Sequence, residues 1–129
     1  MENKIIYKEL SYIVQGAFFQ IYKKLGNYFK EKIYHRALIE EFNKLEIPTE
    51  NERRIKIFYN DKLMGTYIPD LIVDSKILIE IKCKPNLLPP DIRQFWHYLR
   101  ASDYKVGYLT NFGSTSKVEY IRRVYDTAR

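Results

Sequence analysis

Apolar residues recur every three or four positions through the first third of the chain, which is the spacing of an amphipathic helix. The first such stretch runs from Tyr7 to Leu25, and the following Gly26-Asn27 predicts a helix end. The spacing resumes from about Tyr28 to Leu45, before Pro48 interrupts it. The pattern therefore predicts two consecutive helices.

Beyond Pro48 the apolar and polar positions alternate, as they do in strands. Extended runs cover Arg53–Tyr59, Leu63–Val73 and Ile77–Cys83, and Asn60-Asp61 and Asp74-Ser75 predict the turns between them. The region after Pro48 therefore predicts three strands.

A proline-rich loop then leads to a third helix, which is expected from about Asp91 to Ser102 with Pro90 in its first turn. Its predicted core stripe is Ile92, Phe95, Trp96 and Leu99. Two further strands are expected over Lys105–Thr110 and Lys117–Tyr125. The order helix, helix, three strands, helix, strand, strand predicts a mixed α/β fold, and 129 residues suit one domain over 1–129.

Composition narrows the class of protein. A hydrophobic content of 46% permits a core, yet no apolar run is long enough to cross a bilayer. The start Met1-Glu2-Asn3-Lys4 does not resemble a secretory signal. Cys83 is the one cysteine, which excludes an internal disulfide and suits the reducing cytoplasm. One cysteine and two histidines are also poor material for a structural zinc site, so an oxygen-bound cation is the expected metal.

The net charge of +6 and the isoelectric point near 9.3 favour a polyanionic partner, although ordinary solvated surfaces explain a lysine surplus equally well. The basic residues are spread along the chain, which suits a folded basic surface better than a disordered arm. The candidates for contact with a phosphate backbone are Arg53, Arg54, Lys84, Arg93 and Arg100.

The most informative feature is Pro69-Asp70 followed by Glu80-Ile81-Lys82. Side chains alternate along a strand, so Glu80 and Lys82 share a face and Cys83 points to the other. With the turn at Asp74-Ser75 as centre, Asp70 and Glu80 fall opposite each other on neighbouring strands. The sequence therefore predicts two carboxylates and an ammonium in one place.

Such a group suits phosphodiester hydrolysis. Two carboxylates can hold Mg²⁺, while an ammonium can orient the attacking water and offset charge in the transition state. The ordinary alternative is that Asp70 begins a turn and that Lys82 forms a surface ion pair with Glu80. Because both acids lie between apolar strands at hairpin spacing, we favour the catalytic interpretation.

Other polar residues add weaker indications. Glu31 lies in the first turn of the second helix, where it is equally well explained as a partner of the helix dipole. Gln94 and Tyr98 are four residues apart and share a helix face, although such a pair alone is more often structural. His35 and His97 are interpreted as packing or surface residues without a functional role.

Taken together, these residues resemble the PD-(D/E)XK nuclease superfamily, whose core is a mixed sheet flanked by helices. More narrowly, the chain is similar to the small GxxExxY proteins of that superfamily, from about Leu10 to Arg123. The matching segments are Leu25-Gly26, Glu31-Lys32-Ile33-Tyr34, Asp70-Leu71-Ile72-Val73, Glu80-Ile81-Lys82, Gln94 to Tyr98 and Asn111-Phe112-Gly113. One departure is Tyr28, which replaces the first glycine of the naming motif.

The resemblance implies a restriction-endonuclease-like fold and a role for each polar group. Asp70 and Glu80 match the metal-binding carboxylates, with the backbone carbonyl of Ile81 as a further ligand. Lys82 matches the catalytic lysine, and Glu31 matches the helical glutamate that completes the acidic site.

Gln94 and Tyr98 match a Gln-x-x-x-Tyr pair that supports the site or contacts nucleic acid. The leading hypothesis is a Mg²⁺- or Mn²⁺-dependent nuclease acting on DNA, with RNA less favoured. So small a domain is expected to work within a homodimer or larger assembly. The alternatives are a nuclease-fold binding or adaptor module without catalysis, and a plain basic nucleic-acid binder in which Asp70 and Glu80 are dispensable.

Overall fold

The computed structural model describes residues 5–126. Over this range the helices are α1 (Lys8–Leu25), α2 (Glu31–Lys44) and α3 (Pro89–Ala101). The strands are β1 (Thr49–Glu50), β2 (Ile55–Tyr59), β3 (Lys62–Tyr67), β4 (Leu71–Val73), β5 (Ile77–Lys82), β6 (Val106–Asn111) and β7 (Glu119–Val124). The predicted mixed α/β fold and its order of helices and strands are confirmed.

The strands form two separate sheets. Five of them pair in the order β1-β4-β5-β6-β7, whereas β2 and β3 pair only with each other. Within the larger sheet β5 and β6 are parallel and the other neighbours are antiparallel. Helix α3 joins β5 to β6, because a parallel pair requires a crossover connection.

The stretch from Leu63 to Val73, which the sequence predicts as one extended run, is divided between the two sheets. Strand β3 ends at Tyr67 and β4 begins at Leu71. Pro69 is buried at the break. Proline has no N–H group with which to continue a ladder, so the chain leaves one sheet and enters the other here.

The larger sheet is buried on both faces. Alternate β5 residues Ile77, Ile79 and Ile81 pack with the buried faces of α1 and α2. On the other face Leu78 packs with Phe95 of α3 and with the base of the β2–β3 hairpin. Sheets covered on both sides have near-continuous apolar strands, which explains the composition of β5 and β6.

Two of the four predicted α3 core residues are fully enclosed. Phe95 and Leu99 are buried, whereas Ile92 and Trp96 are partly exposed. Trp96 contacts Tyr125 edge-on instead, with ring centroids 5.7 Å apart. No helix within residues 5–126 is both long enough and apolar enough to cross a bilayer.

The segment after β6 packs closely against the loop that leaves β5. Gly113 lies against the backbone of Lys84, and a Cβ at position 113 would stand 2.3 Å from the Lys84 nitrogen. Asn111 closes the same contact, since its side chain accepts from the Lys84 N–H at 2.9 Å and donates to the Lys84 carbonyl at 2.8 Å. The loop leaving β5 is therefore fixed to the end of β6.

This contact predicts opposite effects for two Gly→Ala substitutions. We expect Gly113→Ala to lower the free energy of unfolding by about 2–3 kcal/mol, because backbone atoms must move. Gly16→Ala is the control, since a Cβ at Gly16 in α1 would meet nothing within 4 Å. It should raise the free energy of unfolding by about 0.5–1 kcal/mol. Urea unfolding measures both, and equal effects would contradict the close approach at Gly113.

Candidate active site

The register between β4 and β5 brings Asp70 and Glu80 together. Leu71 pairs with Ile79, and Val73 pairs with Ile77 beside the turn. Continuing this antiparallel register by one step places Asp70 opposite Glu80. Opposed residues share a face of a sheet, so the two carboxylates lie on the same side, as the sequence predicts.

The two central residues of the turn that sets this register have the left-handed backbone conformation. Asp74 and Ser75 have φ values of 52° and 54°, and the Lys76 N–H donates to the Val73 carbonyl at 2.9 Å. Aspartate tolerates this conformation better than most residues, and a primed turn matches the twist of the strands it joins.

Three hydrogen bonds hold the two carboxylates. The Ile81 N–H donates to Asp70 Oδ2 at 2.7 Å. Glu80 Oε1 accepts from the Asp70 N–H at 3.2 Å and from the Tyr67 hydroxyl. These bonds engage Asp70 Oδ2 and Glu80 Oε1, and within residues 5–126 Asp70 Oδ1 and Glu80 Oε2 accept no hydrogen bond.

Lys82 and Glu31 complete the charged group. Lys82 follows Glu80 on the same face of β5, and its positive charge acts to lower the pKa values of Asp70 and Glu80. Glu31 is the first residue of α2 and lies in electrostatic range of both Asp70 and Lys82. Among the described residues, neither Glu31 nor Lys82 forms an ion pair.

Helix α2 is anchored to this site by His35 and Tyr34. His35 Nε2 lies 2.7 Å from the Asp70 carbonyl oxygen and hydrogen-bonds to it. The Tyr34 hydroxyl donates to the Gly26 carbonyl, and its ring stacks on Phe112 with centroids 4.5 Å apart. These contacts fix the start of α2, and therefore the position of Glu31.

The hydrogen bond to the Asp70 carbonyl places His35 beside the site, a contact that its interpretation as a packing or surface residue did not include. The available signal was its spacing, since residues four apart on a helix share a face and Glu31 lies four residues earlier. His97 is exposed on α3.

Gln94 and Tyr98 lie in different environments on α3. Gln94 is exposed and, within the described residues, has no hydrogen bond to the carboxylates. Tyr98 stacks on Tyr67 with centroids 3.9 Å apart and an interplanar angle of 8°. Because the Tyr67 hydroxyl donates to Glu80, Tyr98 packs against a residue that binds one of the two carboxylates.

Tyr67 is the second residue that sequence reasoning did not assign. Burial and the nearby negative charge of Glu80 raise the pKa of Tyr67, so its hydroxyl stays protonated as a donor. No periodic pattern marks this position, because its partner Glu80 lies on a different sheet.

The basic residues expected to contact phosphates occupy different environments. Lys84 forms an ion pair with Asp91 at 2.7 Å and so lowers the pKa of that carboxyl group. Arg100 lies over the rings of Trp96 and Tyr125 at 5.8 and 5.6 Å. Arg53 is 3.9 Å from Glu50, whereas Arg54 and Arg93 are exposed and, in the described range, form no ion pair.

The acidic groups are costly to ionise where they lie. Loss of hydration, followed by repulsion from Asp70, raises the pKa of Glu80 to about 7. Loss of hydration also raises the pKa of Asp70, and it acts with repulsion from Asp70 to raise that of Glu31. Clustered carboxylates with raised pKa values are typical of sites that bind a cation or perform acid–base chemistry.

The donors present suit a hard divalent cation. Among residues 5–126 no group of three or more His, Cys, Asp or Glu side chains is close enough to enclose a metal ion. Asp70 and Glu80 therefore stand as a pair with Glu31 farther out. Mg²⁺ commonly binds through one or two carboxylates and keeps several waters, so an open carboxylate pair fits it.

Comparison with known families decides the broad class. The family model of the PD-(D/E)XK nuclease superfamily matches residues 8–124. The chain belongs to the PD-(D/E)XK nuclease superfamily. The expected restriction-endonuclease-like fold is thereby confirmed. Nucleases of this superfamily generally use divalent metals such as Mg²⁺.

Comparison with individual proteins adds information about the fold alone. No curated protein matches the chain. The crystal structure of SSO0001 is similar, with a TM-score of 0.56 and 20% sequence identity. The alignment covers 93% of this chain and 60% of that one, so this chain spans 60% of the length of SSO0001.

The raised pKa of Glu80 predicts a pH dependence of stability in chelator. Between pH 4.5 and about 7 the native state keeps a proton on Glu80 that the unfolded chain has lost. The free energy of unfolding should therefore fall as pH rises through this window. We expect Glu80→Gln to remove most of this slope and, above pH 7, to be more stable than wild type by roughly 3 kcal/mol at most.

Urea unfolding at several pH values measures this effect. Glu40→Gln is the matched control, because Glu40 is an exposed glutamate on α2. It should leave the slope as in wild type. An undiminished slope in Glu80→Gln would show that another group carries the proton.

Proposed function

We propose that this member of the superfamily is a Mg²⁺- or Mn²⁺-dependent nuclease that hydrolyses phosphodiester bonds in DNA. The observation that supports the proposal is the pairing of Asp70 and Glu80 on one face of the sheet, with Lys82 beside them. The raised pKa values of Asp70, Glu80 and Glu31 near one lysine also support it, since such shifts are common at functional sites.

Each residue has a distinct proposed role. Asp70 and Glu80 would hold the metal ion, together with the Ile81 carbonyl and Glu31, the latter through water. The bound ion would supply positive charge to the phosphoryl oxygens and lower the pKa of a water molecule. The Lys82 ammonium would donate to the attacking water and offset the charge that develops on the phosphate.

The substrate would be held by basic side chains around this face. Arg54 and Arg93 are the most available cations, while Arg53, Lys84 and Arg100 would first have to leave their present partners. Binding through phosphates releases counterions, so affinity should fall steeply with salt. We propose DNA ahead of RNA as the substrate, in keeping with the nuclease superfamily that the motifs resemble.

Within the superfamily we propose the GxxExxY group. Its Glu-x-x-Tyr element corresponds to Glu31 and Tyr34, and the buried Tyr34 hydroxyl supports the loop before α2. Tyr28 at the first glycine position is 87% exposed, so the larger side chain is accommodated in solvent. We further propose a single domain that acts in the cytoplasm, within a homodimer or larger assembly.

A second candidate is a nuclease-fold adaptor that binds nucleic acid without cutting it. One observation favours it. Asp70 Oδ2 and Glu80 Oε1 already accept hydrogen bonds from protein donors. Within residues 5–126 no third His, Cys, Asp or Glu side chain joins them as a possible metal ligand.

Cutting assays on linear and circular DNA distinguish the two candidates. With Mg²⁺ or Mn²⁺ we expect cleavage that chelator abolishes. Asp70→Asn and Lys82→Met should each reduce the rate by at least about 100-fold, because charge stabilisation at the phosphate is lost.

Matched controls lie in the adjacent turn. Asp74→Asn and Lys76→Met change the same residue types in an exposed ion pair of 3.1 Å, and Asn tolerates the left-handed conformation at position 74. Both controls should cut at the wild-type rate. DNA binding by wild type without any metal-dependent cutting would favour the adaptor.

The hydrogen bond from Tyr67 to Glu80 gives a separate prediction for metal binding. Tyr67→Phe keeps the ring stacked on Tyr98 but removes the donor that orients the carboxylate. We expect the affinity for Mn²⁺, measured by calorimetry, to fall about 10-fold or more. Tyr98→Phe is the control, and an equal loss in both variants would assign the effect to packing.

A further inference from the structure

The β2–β3 hairpin is an arm whose outer part adds nothing to the hydrophobic core. It forms a two-stranded sheet of its own, closed by a two-residue turn in which Asn60 and Asp61 have positive φ. Residues 58–66 are all exposed, whereas Ile55 and Tyr67 at its base are buried. An isolated two-stranded hairpin is barely stable in water, so packing at this base must hold the arm in place.

Large apolar side chains are concentrated at the end of the arm. Phe58, Tyr59, Leu63 and Met64, here called the hairpin tip, are 58%, 67%, 52% and 58% exposed. Phe58 and Leu63 are a cross-strand pair, and the ladder skips Met64 as a bulge. Single exposed apolar residues are ordinary, but four on one short hairpin indicate a binding surface.

The charge of the arm indicates what binds there. Residues 53–66 contain four cations, Arg53, Arg54, Lys56 and Lys62, against the single acid Asp61, a balance of +3. A groove of about 570 Å³ follows β2, and its lining includes Arg54, Lys56, Phe58, Tyr104 and the acid Asp103. Cations beside aromatic rings suit nucleic acid, in which charged phosphates alternate with flat bases.

The arm begins at the candidate active site. Ile55 pairs with Tyr67, whose hydroxyl donates to Glu80. Leu63 of the hairpin tip is four residues from Tyr67 along β3, which at about 3.3 Å a residue places it about 13 Å from that contact. A strand of nucleic acid that lies along the arm would therefore be led to the carboxylates.

We propose that the hairpin tip contacts the bases of DNA in which bases are unpaired, such as a single strand or the open end of a fork. Aromatic and apolar side chains need the faces of bases, which a closed duplex hides within its stack. This inference rests on the proposed nuclease function for its choice of DNA. A second copy of this chain is the competing occupant, and the charge balance of the arm disfavours it because two such arms would repel.

Binding measured without metal tests the proposal. Fluorescence anisotropy of a labelled DNA single strand, in chelator, reports affinity while no cutting occurs. We expect Phe58→Ala/Tyr59→Ala to weaken binding about 10-fold or more, because each stacked base contributes strongly. Tyr12→Ala is the control, since Tyr12 on α1 is 78% exposed and lies outside the arm. It should bind as wild type does.

The salt dependence separates base contacts from phosphate contacts. Removing aromatic rings should leave the slope of log K against log salt unchanged. Lys56→Ala/Lys62→Ala should reduce that slope by about 1.4, the value expected when two phosphate contacts to a single strand are lost. A closed duplex should bind more weakly than the single strand and should respond little to the aromatic substitutions.

The proposal is overturned if the aromatic variant binds the single strand as tightly as wild type, or if wild type does not bind it at low salt. A dimer of wild type that dissociates in the aromatic variant, with DNA affinity unchanged, would assign the hairpin tip to self-association. If the double variant fails to fold, Tyr59→Leu keeps an apolar side chain and should still weaken binding. If binding depends on the aromatic side chains but no cutting occurs, the nuclease proposal is refuted and this inference stands. If cutting occurs but binding does not depend on the aromatic side chains, this inference is refuted and the nuclease proposal stands.

Discussion

The register between β4 and β5 is the constraint on which the candidate site depends. The left-handed turn at Asp74 and Ser75 fixes which residues face each other, and Asp70 and Glu80 meet only in that register. Slipping a strand by one residue would turn every side chain to the other face, so Asp70 would enter the apolar layer beneath α1 and α2. That layer resists the slip, because Leu71 and Val73 would leave it at the same time.

The carboxylates of the site lie where their ionised forms are disfavoured. Glu80 lies between apolar neighbours and beside Asp70, and its pKa is raised to about 7 for both reasons. Hydrogen bonds from Tyr67 and the Asp70 N–H offset part of that cost for Glu80, and the hydrogen bond from the Ile81 N–H does the same for Asp70. A nearby cation stabilises the ionised form of such carboxylates strongly. The burial and mutual repulsion that raise their pKa values in the free protein would therefore also favour the proposed metal binding.

Several contacts hold the end of the larger sheet in place. The Phe112 N–H donates to the Lys82 carbonyl at 2.9 Å, and the Phe112 ring stacks on Tyr34, which anchors the loop before α2. Gly113 lies against Lys84 with no room for a side chain. The strand that carries Glu80 and Lys82 is thus held to β6 and, through Tyr34, to the helix that carries Glu31. In contrast, the β2–β3 hairpin is held only at its base and presents most of its surface to solvent.

The sequence by itself determined the features that depend on local spacing. The helix and strand order, the shared face of Glu80 and Lys82 and the opposition of Asp70 to Glu80 follow from periodicity and one turn, because neighbours along the chain fix them. Only the tertiary structure decided the division of the predicted strand at Pro69, the ion pair of Lys84 with Asp91, and the roles of Tyr67 and His35. These features depend on how the sheets and helices pack against one another. Residues that only this packing brings together show no regular spacing along the chain, so the sequence pattern does not reveal them.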